Sequence, residues 1–108
     1  MATKPIIPRN LALRDIEEAV DYFAREVGSH VALGYVEDLQ SAYKLIASHP
    51  ASGSLRYGYE IGLPSLRSVQ LKRYPYLIFY LEQTDHIDVW RVLHATTDIP
   101  AWLQTPNS

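Results

Sequence analysis

The sequence contains no cysteine, which excludes disulfide bonds, thiol nucleophiles and cysteine-ligated metal centres. It also has no apolar run that approaches the roughly 18 residues of a membrane span. Its start lacks a basic region followed by an apolar stretch, so no secretory signal is predicted. Together these absences favour a cytoplasmic protein, because a reducing compartment does not maintain disulfides.

The sequence has no excess of basic residues: ten Lys and Arg stand against twelve Asp and Glu, for a net charge of −2. We therefore do not expect direct, sequence-specific DNA binding by this chain alone. The charges are distributed unevenly, with an acidic segment at 12–38 and a more basic one at 56–73. This favours one specific binding face, although an ordinary solvated surface accounts for the same pattern.

Motifs for metal or cofactor chemistry are also missing. The four histidines (His30, His49, His86 and His94) have no metal-ligand spacing, and the sequence has no HExxH motif. It has neither a glycine-rich phosphate loop nor a nucleophile elbow. We predict no metal and no cofactor.

The chain has 108 residues, of which 47% are apolar, and this predicts one domain with its core at about 6–103. Two segments show apolar residues at spacings of three and four, which predicts two amphipathic helices. Asn10 is a suitable N-cap for the first, and Gly28-Ser29 ends it. The second stops before His49-Pro50. The two-residue break between them indicates an antiparallel helical hairpin.

The remaining segments alternate between apolar and polar residues or are apolar throughout, as strands are. A proline-flanked edge strand or arm occupies 3–9, and a short last helix follows Thr97-Asp98 with Trp102-Leu103 as its anchor. The predicted fold class is α+β: an N-terminal edge strand, the helical hairpin packed on a three- to four-stranded antiparallel sheet, and a short C-terminal helix. The other predicted strands are a weak one at Leu55–Gly62, then Leu66–Tyr74, Tyr76–Glu82 and Ile87–His94.

Strand parity places Ile87, Val89, Arg91 and Leu93 on one face of the last strand and Asp88, Trp90, Val92 and His94 on the other. Arg91 and His94 would then point to opposite faces, which argues against a single catalytic unit.

Several motifs in this order resemble the ParE/RelE toxin superfamily, and its ParE-like branch in particular, over about 6–103. They are Asp15-Ile16 and Tyr22, then Ala42, Ile46, His49-Pro50 and Gly53, then Leu66–Ser68, Tyr74–Tyr80, Arg91–His94 and Asp98-Ile99.

The resemblance implies the toxin of a type II toxin–antitoxin module that stabilises plasmids. Its partner would be a ParD-like antitoxin with a DNA-binding N-terminal part and a C-terminal part that wraps the toxin. ParE-like members poison DNA gyrase, whereas RelE-like members cut mRNA in the ribosome. A third hypothesis is a non-toxic descendant that only binds its antitoxin.

A nuclease needs a base, cationic donors and an acid close together, and the candidates here are His94, Arg91, Arg67, Arg73 and Tyr76. The absence of a clustered basic group favours binding over catalysis, so enzyme activity stays open and no catalytic residue is assigned.

For target binding we predict Arg67, Arg73, Arg91, His94 and Trp102. Arg91 has a structural alternative, in which it pairs with Glu60 or Asp98 or caps the last helix. The acidic face formed by Asp15, Glu18, Asp21 and Glu26 would suit a basic antitoxin helix, or the antitoxin could add a strand to a sheet edge. The antitoxin-binding face is left open.

Overall fold

A computed structural model describes residues 3–104 of the chain. The elements, in chain order, are β1 (Ile6–Pro8), α1 (Asn10–Glu26), α2 (Ser29–Ser48), α3 (Arg56–Glu60), β2 (Arg67–Gln70), β3 (Tyr76–Glu82), β4 (Ile87–His94) and α4 (Ile99–Leu103), with a 3-10 turn at Pro50–Ser52. The predicted α+β class, with a helical hairpin packed on a sheet, is confirmed.

The helical hairpin forms where the apolar spacing places it. Arg9 is the N-cap residue of α1 and Asn10 is already helical, one residue from the prediction. Gly28 separates the two helices with φ = +148°, a conformation that side chains with a Cβ rarely adopt. The helix α2 ends at Ser48, before His49 and Pro50, as the steric effect of proline on its predecessor predicts.

The sheet has the order β1-β4-β3-β2. The strands β2, β3 and β4 are antiparallel neighbours, but β1 pairs in parallel with β4, with Ile6 opposite Ile87 and Pro8 opposite Val89. The predicted antiparallel sheet is confirmed for β2, β3 and β4, and the N-terminal edge strand, whose direction was not predicted, makes the sheet mixed. A parallel pair needs a long crossover connection, and here the three helices α1 to α3 and the strands β2 and β3 provide it.

The segment Leu55–Gly62, predicted as a weak strand, is instead the short helix α3. It lies in close contact with the backbone that follows: a Cβ on Gly58 would clash with the Leu63 carbonyl oxygen, and would lie 2.7 Å from that of Leu66. Tyr57 packs edge-on against Phe79 of the sheet, with ring centroids 5.4 Å apart. Gly58 thus permits a tight helical turn in place of the predicted strand.

The strand β4 contains an irregularity that strict alternation misses. Phe79 pairs with Arg91 and Tyr80 with Val89, so Trp90 is an extra residue in a β-bulge. Val89 and Val92 consequently both pack into the core beside the helices, whereas Trp90 and Leu93 pack on the opposite face. The predicted face assignment for β4 is wrong beyond Val89, although Arg91 and His94 still differ in direction.

Two apolar cores result, one on each face of the sheet. The hairpin core lies between α1, α2 and the sheet and includes Tyr35, Ile46, Ile78, Tyr80 and Val92. The α4 core lies on the other face and consists of Leu66, Leu77, Phe79, Leu93, Ile99 and Leu103. The short α4 is therefore anchored by buried leucine and isoleucine side chains, and Trp102 stays 47% exposed.

Candidate functional site

Arg91 lies at the junction of α1, β4 and α4. Its Nε and Nη2 atoms donate to the two carboxylate oxygens of Asp15, each at 2.7 Å, and Nη1 donates to the Trp102 carbonyl at 3.0 Å. The guanidinium also stacks 5.2 Å from the centroid of the Trp102 ring. Arg91 is buried and Asp15 is nearly so, with 4% and 10% of their side chains exposed.

Asp15 has a second role at the sheet edge. One of its carboxylate oxygens accepts the Val92 backbone N–H at 3.1 Å, beyond the point at which β1 stops pairing with β4. The carboxylate thus takes the place of a missing neighbouring strand while it neutralises Arg91. The predicted partners of Arg91, Glu60 and Asp98, are wrong, but its contact with the last turn of α4 agrees with the structural alternative.

His94 ends β4 and pairs with Tyr76 at the start of β3. The two rings meet edge to face, 5.1 Å apart. The Nδ1 atom of His94 accepts the backbone N–H of Thr96 at 3.1 Å, so the neutral imidazole carries its proton on Nε2. Burial raises the pKa of Tyr76, with a smaller contribution from Tyr22, so its hydroxyl stays protonated at neutral pH.

An open groove surrounds this pair, and we call it the aromatic groove: Glu18, Tyr22, Tyr76, His94 and Trp102. It comprises two adjoining cavities of about 210 and 390 Å³ that share Tyr22, Tyr76 and His94. Its walls come from α1, from the ends of β3 and β4, and from α4. Of the residues that line the two cavities, none is a lysine or an arginine.

Neither Arg67 nor Arg73 lines this groove. Arg67 donates to the carbonyls of Ala51 and Gly53, at 3.1 and 2.9 Å, and so holds the 3-10 turn against β2. It pairs with Tyr80, four residues along β3 from Tyr76, which is about 13 Å at the rise of a strand. The structure does not bring the five nuclease candidates together.

Arg73 belongs to the turn between β2 and β3. Its backbone N–H and that of Tyr74 both donate to one carboxylate oxygen of Asp38, at 2.8 and 3.2 Å. Asp38 is 5% exposed on α2, so it fixes this turn on the helical hairpin. The Arg73 side chain donates to the Gly34 carbonyl at 3.4 Å, in an exposed contact.

Two important residues, Asp15 and Asp38, were missed as structural residues. A signal for Asp15 is present in the sequence, because it shares a helix face with Ala12 and Ala19, both of which are buried. Asp38 directly precedes Leu39 in the apolar stripe of α2. An acid on the buried face of a helix indicates a specific partner, but not which one.

Among the described residues no group of three or more His, Asp or Glu side chains is arranged to hold a metal ion. Within residues 3–104, no helix combines the length and apolarity required to cross a membrane.

A helical hairpin on a small sheet with a short C-terminal helix is a fold that this chain shares with a solved toxin–antitoxin structure. A solved structure described as "Chromosomal ParDE TA system from P. aeruginosa" superposes with a TM-score of 0.70, covering 85% of this chain and 96% of that one at 21% identity. A family model described as "ParE toxin of type II toxin-antitoxin system, parDE" matches residues 6–99. The chain therefore belongs to the ParE toxin family, and the expected resemblance is confirmed. No curated protein matches the chain in sequence.

Proposed function

We propose that this chain arrests bacterial growth by binding DNA gyrase, and that a cognate antitoxin neutralises it. The observation that carries this proposal is the commitment of Arg91, the most promising catalytic cation in the sequence, to Asp15 inside the protein. An arginine held in this way positions α1, β4 and α4. It is not free to neutralise a phosphate.

The surroundings of His94 also favour binding over RNA cleavage. A ribonuclease transition state carries extra negative charge on the phosphate and needs cationic donors beside it. The groove around His94 and Tyr76 instead contains the carboxylate of Glu18 and no basic side chain. The net charge of the whole chain, −2, would also repel RNA at long range.

The proposed target contacts are the accessible residues of the predicted set: Arg73, His94 and Trp102, with Arg67 at the other end of the sheet. Arg91 affects these target contacts indirectly. It holds Trp102 in place through a hydrogen bond to the Trp102 carbonyl and through the stacking of its guanidinium on the ring. Cytoplasmic localisation and a role in plasmid stabilisation belong to the same proposal.

Induced expression in a bacterium, followed by separate labelling of DNA and protein synthesis, tests the function. We expect growth arrest in which DNA synthesis stops first. Purified protein should block supercoiling by gyrase or trap cleaved DNA. Trp102→Ala should weaken the effect, whereas Tyr59→Ala, an exposed aromatic on α3, should not.

Other outcomes would contradict the proposal in different ways. Ribosome-dependent mRNA cleavage that is lost in His94→Ala would favour the RelE-like alternative. Normal growth during expression would favour a non-toxic protein that only binds its antitoxin. No effect on gyrase at micromolar concentrations would remove gyrase as the target.

A further inference from the structure

The aromatic groove has walls that are already held in place. The Tyr76 ring contacts Tyr35 and Phe23, with centroids 5.0 and 6.1 Å apart, in addition to His94. Tyr22 packs edge-on against Phe23 at 5.5 Å. A ligand that enters the groove therefore meets ordered rings and does not bear the entropic cost of ordering them.

The outer walls of the groove are accessible. Tyr22 is 51% exposed and Trp102 is 47% exposed, and both are among the large apolar side chains at the surface. A single exposed aromatic ring is ordinary, but rings that line one cavity form a continuous apolar surface, which is typical of a recognition site. The groove is open at the surface, and its two adjoining cavities measure about 210 and 390 Å³. It therefore has room for a side chain of a partner.

The charge of the groove limits which side chain fits. Asp15 lines it, but Arg91 neutralises that carboxylate, so Asp15 does not belong to the acidic outer face predicted from the sequence. Glu18 also lines the groove and is exposed, and Asp21 is exposed on the same helix. An anionic side chain would be repelled by Glu18, and an apolar one would remove this carboxylate from water without compensation.

We propose that the aromatic groove receives an arginine side chain from a basic segment of the antitoxin. A guanidinium is planar, so it can stack on the faces of Tyr22, Tyr76 or Trp102 and donate two hydrogen bonds to the Glu18 carboxylate. Lysine lacks the planar fork and suits this combination less well. The inference rests on the proposed neutralisation by an antitoxin and specifies how that partner is recognised.

Nuclear magnetic resonance with a blocked tripeptide, acetyl-Ala-Arg-Ala-amide, tests the site directly. The chain contains two tryptophans, which serve as internal probes. Trp102 lines the groove, whereas Trp90 packs on the opposite face beneath Arg9. At peptide concentrations up to tens of millimolar, which detect weak contacts, we expect the Trp102 indole signal to shift and the Trp90 signal to stay unchanged.

Two control peptides separate charge from shape. The citrulline analogue has nearly the shape of arginine without its charge, and the alanine analogue has neither. Both should shift the Trp102 signal less than the arginine peptide does. Equal shifts with all three peptides, or no shift with any, would overturn the proposal.

Matched variants assign the effect to the groove. Glu18→Gln should weaken arginine-peptide binding roughly two- to five-fold, the range of an exposed charge contact, whereas Glu17→Gln on the adjacent exposed position should leave it unchanged. Tyr22→Leu should weaken it, and Tyr59→Leu on α3 should not. Equal binding by Glu18→Gln and Glu17→Gln would contradict the proposal.

This experiment needs neither toxicity nor gyrase. Failure of peptide binding in a protein that still arrests growth would refute the arginine site alone. Specific peptide binding by a protein that does not arrest growth would refute the proposed target and leave the site in place.

Discussion

Arg91 and Asp15 form a single polar unit that joins three elements through four hydrogen bonds. The cost of removing both charges from water offsets much of their Coulomb attraction, so the intact pair stabilises the fold only modestly. The loss of either member has a larger effect, because the other charge is then buried without a partner. Asp15 consequently matters more for stability than its place on a solvated-looking helix suggests.

We predict that Asp15→Ala lowers the free energy of unfolding by about 3–5 kcal/mol, because it leaves Arg91 buried and the Val92 N–H without an acceptor. Urea unfolding followed by circular dichroism measures this. Asp21→Ala, at an exposed position of the same helix, is the matched control and should change stability by less than about 0.5 kcal/mol. Equal effects of the two substitutions would show that the pair is dispensable.

The sequence identified Arg91 and His94 as residues of interest but not their surroundings. Strand alternation predicted that they diverge, and they do. The partner of Arg91 is 76 positions away, and no periodicity within β4 can indicate a contact with α1. The aromatic groove was only partly predicted, because Glu18 and Tyr22 come from the helix and the other residues from the C-terminal segments.

At the scale of elements, the contact of α2 with the turn between β2 and β3 depends on a glycine. A Cβ on Gly34 would lie 2.6 Å from the Tyr74 hydroxyl oxygen, and this hydroxyl donates to the Val31 carbonyl at 2.8 Å. Glycine within a helix costs about 1 kcal/mol relative to alanine. Here this cost permits a close approach between a helix and a turn.

We predict that the effect of Gly34→Ala depends on Tyr74. In the natural sequence the substitution should be neutral or destabilising, because the new methyl group displaces the tyrosine hydroxyl. In a Tyr74→Phe background, the nearest ring atom would lie at an ordinary contact distance of 3.7 Å, so Gly34→Ala should stabilise by about 0.5–1 kcal/mol. A double-mutant cycle by urea unfolding measures the coupling, and equal effects in both backgrounds would contradict it.

The elements differ in how well the sequence predicts them. Periodicity located α1, α2, β3 and β4 closely, because each is long enough for its pattern to repeat. The segment that forms α3 is too short for a helical period, and its glycines allowed a strand boundary as readily as a helical turn. The strand β2 ends at Gln70, earlier than its alternation predicts. The Leu71 N–H still donates to the Tyr76 carbonyl, but those of Arg73 and Tyr74 donate to Asp38 and so belong to a turn. The bulge at Trp90 depends on the pairing with β3, so the local sequence of β4 does not predict it.

At the scale of the whole molecule, the hairpin core contains tyrosine hydroxyls removed from water. Those of Tyr35 and Tyr43 have no hydrogen-bond partner within residues 3–104. Burial raises the pKa of Tyr43 to about 12, and it also raises that of Tyr35, with smaller contributions from Tyr76, Tyr43 and Asp15. The folded protein therefore retains these protons at a pH at which the unfolded chain, with tyrosine pKa values near 10, releases them.

It follows that global stability should be independent of these tyrosines below pH 10 and should fall as the pH rises above it. Tyr43 alone contributes a slope of about 1.4 kcal/mol per pH unit, until its folded pKa is reached. We predict that Tyr43→Phe lessens the loss of stability between pH 10 and 11 by about 1 kcal/mol. Urea unfolding at both pH values measures this, with the exposed Tyr59→Phe as control. Identical slopes in both variants would contradict it.

The parallel pairing of β1 with β4 determines when the chain can complete its fold during synthesis. The ion pairs Lys4–Glu82, Arg9–Asp88 and Asp15–Arg91 each join residues 76–79 positions apart. At a translation rate of about 5–20 residues per second, the N-terminal strand and helix are made roughly 4–16 s before their partners. During that interval β1 has no β4 to pair with, and Arg91 is not yet present to position Trp102. Toxic activity that requires this surface therefore begins only after the segment that contains Trp102 has been synthesised.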